Sequence, residues 1–227
     1  MTILVCDKVE KDYTLDSRRI RVLGTVDLVV AKGEFVVIAG SSGSGKTTLL
    51  SILSGLDRPS SGRVVIAGKD ITDLSEDQLA PLRNTLTGFV FQGFHLIPSL
   101  NALENIMFPA ELNHDPAARS KALDLLEQVG LAHRQTSFPE QLSGGEQQRV
   151  AICRALINDP AIVFADEPTG NLDSENSRVI VDLLLSLHRQ RRMTLVMATH
   201  SRSLAGRADR IIRIHDGQIV GEERPGA

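Results

Sequence analysis

The sequence predicts an α/β fold with a parallel sheet, and three observations carry the prediction. Short apolar runs, "VVIAG" at 36–40, "AIVFA" at 161–165 and "TLVMAT" at 194–199, read as strands buried on both faces. Helix-forming stretches stand between them, and strands alternating with helices argue for parallel pairing. Between Phe94 and Gln141 the pattern turns to helices alone, which predicts an inserted helical subdomain.

In chain order, "TILVCDKVEKDYTL" at 2–15 and "VDLVVAKGEFVVIAG" at 26–40 read as strands, the latter broken by a turn at Lys32-Gly33. "KTTLLSILSGL" follows a glycine loop as a helix that stops near Gly55, and "SGRVVIAGKDI" at 61–71 reads as a hairpin. "GFVFQGFHL" at 88–96 carries a strand-like apolar run up to Gln92. Asp115-Pro116 can start a helix with Leu123, Leu126 and Val129 on one face, and Gly130 can end it. After Gly144-Gly145, "EQQRVAICRALIN" reads as a helix leading to the strand "AIVFA". "SENSRVIVDLLLSLHRQ" at 174–190 is a helix capped by Asp173 or Ser174, and the strand "TLVMAT" runs into His200. "RIIRIHDGQIV" at 210–220 closes the chain as a hairpin turned at Asp216-Gly217.

Composition bounds the function. The 227 residues carry 25 Lys and Arg against 28 Asp and Glu, a net charge of -3, which lacks the basic footprint of a nucleic-acid partner. The cations of "RQRR" at 189–192 suit the C-terminal end of a helix rather than a binding patch. Cys6 and Cys153 are the only cysteines and have no metal-ligand spacing, so neither a disulfide nor a zinc site is expected. No apolar run approaches the roughly 20 residues of a membrane span, and Asp7 and Lys8 interrupt the N-terminal stretch where a signal peptide would be apolar.

The glycine loop "GSSGSGKT" matches G-x-x-x-x-G-K-[ST] in full and lies between a predicted strand and a predicted helix, the context of a phosphate-binding P-loop. Gly40, Ser41, Ser42, Gly43, Ser44 and Gly45 would turn backbone N–H groups toward phosphates at a helix N-terminus. Lys46 would reach the β- and γ-phosphates, the Thr47 hydroxyl would bind Mg²⁺, and Thr48 continues the site into the helix. Asp166, directly after "AIVFA", is the acidic partner the metal needs, and Glu167 beside it is the candidate general base or orienter of the attacking water. His200, at the end of the next strand, is a candidate for contact with the γ-phosphate, and the Gln92 amide suits a metal or water contact. A second glycine loop, "LSGGEQQR", sets Ser143, Gly144 and Gly145 at another helix N-terminus. One nucleotide does not need two such loops, and the simplest resolution is that the second serves nucleotide held by a twin subunit in an isologous dimer.

These motifs, in order and spacing, resemble the ATP-binding subunit of an ATP-binding cassette (ABC) transporter over essentially the whole chain: Walker A "GSSGSGKT", Q-loop Gln92, signature "LSGGEQQR", Walker B "AIVFADE", D-loop "GNLD" ending at Asp173, and H-loop His200. The resemblance implies a P-loop NTPase core of the RecA type with an antiparallel β subdomain, over residues 1–92 and 160–227, and a helical signature subdomain over 93–159. It implies ATP and Mg²⁺ as cofactors, a head-to-tail homodimer, a transmembrane permease partner and a peripheral place on the cytoplasmic face of the inner membrane. It further implies that Tyr13 stacks on adenine and that Asp173 belongs to the nucleotide site. "DEPTGNLDS" and "GFVFQGFHLIPSLNALENI" are similar to the branch that serves lipoprotein release and macrolide or peptide export, with a cell-division relative nearby. The apolar "FHLIPSL" is then the expected docking surface for a permease helix. Gly93-Phe94 departs from the basic-aromatic pair more frequent after the Q-loop glutamine. The alternative reading is a regulatory ATPase coupled to a permease-like protein in cell division or cell-wall control. A non-transport ATPase acting on DNA or ribosomes is disfavoured by the acidic balance and by the lack of a second cassette or coiled-coil insertion.

Overall fold

The computed structural model describes residues 1–16 and 18–225. The chain begins with β1 (Thr2–Leu15), β2 (Arg18–Ala31), β3 (Phe35–Ala39), α1 (Lys46–Leu53), β4 (Ser61–Ile66) and β5 (Lys69–Asp70). It continues through α2 (Glu76–Leu86), β6 (Thr87–Val90), α3 (Ala102–Leu112), α4 (Ala118–Gln128) and α5 (Gly144–Leu156). The last elements are β7 (Ile162–Asp166), α6 (Ser174–Arg191), β8 (Thr194–Thr199), α7 (Arg202–Ala205), β9 (Arg210–His215) and β10 (Gln218–Glu223). An antiparallel sheet has the order β2-β1-β4-β5, and a six-stranded sheet has the order β10-β9-β3-β8-β7-β6, parallel from β9 to β6.

Period-two alternation explains why the central strands read as continuous apolar runs. In β3 Phe35 and Val37 point into one core and Val36 and Ile38 into the other; Val163 and Ala165 of β7, and Leu195 and Met197 of β8, repeat the division. The first core packs α3, α4, α5 and α6 on one face of the sheet, through Leu103, Ile106, Leu126, Val150, Ile152 and Leu184. The second packs α1, through Leu49, Leu50 and Leu53, and the antiparallel sheet, through Leu4, Val9, Leu28 and Val64, on the other. All parallel strands end on one edge of the sheet, where open α/β sheets bind ligands.

Three elements differ from expectation. β2 starts at Arg18 rather than Val26, because its charged end is paired across the hairpin: Arg21 stands opposite Asp12 and Arg19 opposite Thr14, and both guanidiniums bond the Asp12 carboxylate. α2, for which the sequence reading has no element, holds Pro81 in its interior; its start is fixed by a capping box in which the Ser75 N–H donates to Gln78 Oε1 at 3.0 Å. α7 is a short turn of helix that no apolar period announces. At the start of α6 the cap is Asp173, whose Oδ1 accepts the Asn176 N–H at 2.8 Å.

Candidate functional site

β3 delivers the chain to Gly40, and the loop from there to α1 takes a path open to glycine. Gly43 and Gly45 have φ of +77° and +98°, and a Cβ on Gly40 would lie 2.5 Å from the Ile214 carbonyl oxygen. The loop borders a cleft of 680 Å³, whose lining includes Ser42, Gly43, Gly45, Lys46, Thr47, Thr48, Gln92, Glu167 and His200. These come from the ends of β3, β6, β7 and β8, side by side in the parallel sheet. Lys46 is buried; its ammonium donates to the Gly40 and Ser41 carbonyls at 3.1 and 2.9 Å and stands 3.9 Å from Glu167 Oε1.

Asp166 ends β7 with its carboxyl turned inward. Burial pushes its pKa up, with the nearby Thr47 hydroxyl acting the other way, and its Oδ1 is buried with no hydrogen-bond partner. Ser44 Oγ, in the loop opposite, is likewise buried and unpartnered. Among the described residues no cluster of three or more His, Cys, Asp or Glu is poised around a metal. A hydroxyl with one orphaned carboxylate oxygen is instead the sparse, hard donor set of a cation that shares its shell with phosphate and water.

Glu167 has φ of +42°, a strained conformation for a residue with a side chain, and its N–H donates to the Ala198 carbonyl at 2.9 Å. Its Oε1 lies 3.0 Å from His200 Nδ1. A carboxylate only accepts, so the proton of this bond belongs to Nδ1. Gln92 reaches the cleft, but its Nε2 donates to Asn171 Oδ1 at 3.2 Å while Asn171 Nδ2 donates back to the Gln92 carbonyl at 3.1 Å. Asn171, inside "GNLD", is a site neighbour that no motif reading singled out; only its place before Asp173 hinted at it.

Tyr13 does not line the cleft and stands at its rim beside Thr48. The phenol donates to Asp57 Oδ2 at 2.6 Å, the Lys11 ammonium lies 4.6 Å from the ring centroid, and the residue is 42% exposed. Burial and then the Asp57 carboxylate push its pKa up to about 12. Lys11 and Asp57 hold this ring, and sequence gave no signal for either beyond their charge.

Ser143, Gly144, Gly145 and Asp173 also lie outside the cleft of their own chain. Ser143 caps α5: its N–H donates to Glu146 Oε2 at 2.8 Å and its Oγ accepts the Glu146 N–H at 3.3 Å, which leaves its own O–H free to donate outward. A Cβ on Gly145 would meet Asn176 Oδ1 at 2.5 Å, and Asn176 Nδ2 donates to Asp173 Oδ2 at 2.7 Å, so the two loops pack on each other.

The sequence profile of the ABC transporter family matches residues 23–170. The chain is 47% identical over 219 residues to the lipoprotein-releasing system ATP-binding protein LolD of Xanthomonas campestris pv. campestris, covering 96% of this chain and 92% of that one. It is 46% identical over 217 residues to the macrolide export ATP-binding/permease protein MacB of Chlorobaculum tepidum, covering 95% of this chain and 33% of that longer protein. Among solved structures, the ATP-binding cassette MJ0796, as a dimer in a post-hydrolysis state with ADP and Pi, superposes with a TM-score of 0.92 at 41% identity, covering 99% of this chain and 100% of that one. Fold, motifs and similarity over nearly the full length agree: the chain belongs to the ABC transporter family, as an ATP-binding, ATP-hydrolysing subunit.

Proposed function

We propose that two copies of this chain close head to tail around two ATP molecules and drive a separate transmembrane permease, in lipoprotein release or macrolide- or peptide-type export. One observation carries the reading: Lys46 and His200 each bring a polar atom within 4 Å of Glu167 Oε1 in the cleft, whereas Ser143 to Gly145 stand away from it. The two outward loops then serve the partner's nucleotide. Relatives named for lipoprotein release support the cargo class, and the dimer of the cassette MJ0796 supports the assembly.

In the proposed reaction the 40–45 loop holds the phosphates with backbone N–H groups and Lys46 turns from the loop carbonyls to the β- and γ-phosphates. Glu167 accepts a proton from, or orients, a water in line with the γ-phosphorus, and His200, through its Nδ1–H, keeps that carboxylate turned inward. Water's oxygen bonds phosphorus as the bond to the ADP oxygen breaks, giving ADP and inorganic phosphate. Thr47, Asp166 and Gln92 would hold Mg²⁺, which when bound neutralises charge on the β- and γ-oxygens. Tyr13 would stack on adenine with its face opposite Lys11. Asp173 acts at the interface rather than on the nucleotide of its own chain.

Residues 93–159 would turn as a helical subdomain against the remainder, 1–92 and 160–227. A groove of 390 Å³ beside "FHLIPSL", lined by Phe89, Phe91, His95, Leu112 and Arg154 among others, suits a short permease helix. Among the described residues no helix is long and apolar enough to cross a membrane. Membrane work would therefore come from the permease, with this chain peripheral on the cytoplasmic face of the inner membrane.

Glu167→Gln tests the reading. It retains shape and hydrogen bonding but removes the basic carboxylate, so turnover falls at least about a hundredfold while ATP binding persists. Gel filtration with ATP and Mg²⁺ then shows a stable dimer; unmutated turnover rates in this variant would refute the role of Glu167.

A further inference from the structure

α5, the helix that begins at the signature loop, sends one side chain into the catalytic edge of its own chain. Gln148 is 0% exposed; its Nε2 donates to the Pro168 carbonyl at 2.7 Å and to the Phe91 carbonyl at 3.3 Å. Pro168 follows Glu167 and Phe91 precedes Gln92, so one amide ties together the backbones that carry both residues. Both neighbours are carbonyl oxygens, which fixes the orientation of the amide: the nitrogen must face them. Its Oε1 is left buried and unpartnered.

An apolar residue of this size would pack here without that penalty, because a buried amide oxygen with no donor is unfavourable. What the amide supplies in exchange is its nitrogen, a donor shared by two backbone carbonyls, and it thereby places both segments. What it places is strained. Glu167 sits at φ +42°, held from one side by the Ala198 carbonyl and from the other through Pro168 by Gln148. Phe94 and His95, beyond Gln92, have φ of +58° and +49°, and Arg154, further along α5, donates to both of their carbonyls at 3.0 and 2.6 Å. Thus α5 grips the chain on both sides of Gln92, and Gln148 reaches the Glu167 turn as well, through the Pro168 carbonyl.

We infer that Gln148 is a positioning residue for the hydrolytic step: it transmits the placement of the signature helix to Glu167 and Gln92 of the same chain. The inference rests on the proposed role of Glu167 and on the two-subunit reading of Ser143 to Gly145. Given that reading, α5 starts against the partner's nucleotide and ends its reach at this chain's own, so Gln148 couples the two composite sites.

The test is Gln148→Met, which keeps length and apolar bulk and removes the amide, made alone and together with Glu167→Gln. Alone, it lowers kcat by about ten- to a hundredfold, the scale of an ångström-sized misplacement, and leaves the KM for ATP within about twofold. In the Glu167→Gln background the ATP-dependent dimer forms as before, since the group being positioned is already gone. A kcat within about twofold of the unmutated chain overturns the inference, as does loss of the trapped dimer in the double variant, which would mark a merely structural residue. If Gln148→Met does not fold, Gln148→Glu replaces the donating nitrogen at nearly identical volume and is read by the same two measurements. Failure of the underlying reading shows separately, as turnover that survives Glu167→Gln alone.

Discussion

Asp166 shows how single residues trade stability for chemistry at this site. The residue is half-buried, its Oδ1 is buried without a partner, and the Glu167 charge beside it adds repulsion, so its ionised form is held at a penalty in the free protein. Asp166→Asn removes the charge and keeps an oxygen for the Thr47 hydroxyl. We expect the nucleotide-free protein to melt about 3 °C higher, the size of a gain of about 1 kcal/mol in a chain of this length, while Mg²⁺-dependent ATPase activity falls at least about a hundredfold. A lower melting temperature by calorimetry would contradict this. The residues gathered in the cleft were legible in the sequence, because Lys46, Thr47, Gln92, Glu167 and His200 each follow a strand end or a glycine loop at a recognisable spacing. Gln148, Arg154, Asn171 and Asp57 were not. Gln148, Arg154 and Asn171 act by bonding a backbone carbonyl or an amide distant in the chain, and Asp57 by accepting from the Tyr13 phenol and the Lys11 ammonium; nothing in local composition marks such a partner.

Among elements, the contact of α5 with β6 governs whether the helical region can follow the sheet. Gly88, in β6, lies so close to α5 that a Cβ would stand 2.2 Å from the Ala155 carbonyl oxygen. Gly88→Ala is expected to destabilise the protein by about 2 kcal/mol or more, since backbone rather than a flexible side chain would have to yield. That predicts a melting temperature lower by about 5 °C or more, and an unchanged one would show that α5 shifts freely. The buried strands were read correctly because alternate residues feed two cores, which leaves no polar gap in β3, β7 or β8. The charged end of β2 was missed for the opposite reason, as its pairing rests on cross-strand ions such as Arg21 and Asp12 rather than on apolar alternation. α2 carries little sequence signal, since Pro81 stands in its interior and Leu79 is its one buried side chain.

At the scale of the molecule, the central claim is that each nucleotide is shared between two chains. Ser42 lines the cleft and Ser143 does not, and both are exposed, so each is open to a second subunit facing the first. Cys6 and Cys153 are buried, and burial pushes both thiols up to about 12, so they stay out of disulfide exchange and the background is low. The most direct measurement mixes two chains carrying Glu167→Gln, one with Ser42→Cys and the other with Ser143→Cys, and oxidises them with and without ATP and Mg²⁺. The account predicts a disulfide-linked dimer on a non-reducing gel from the mixture, dependent on ATP and absent from either chain alone. No linked dimer from the mixture, together with a Ser42–Ser143 disulfide inside one chain carrying both substitutions, would contradict the account.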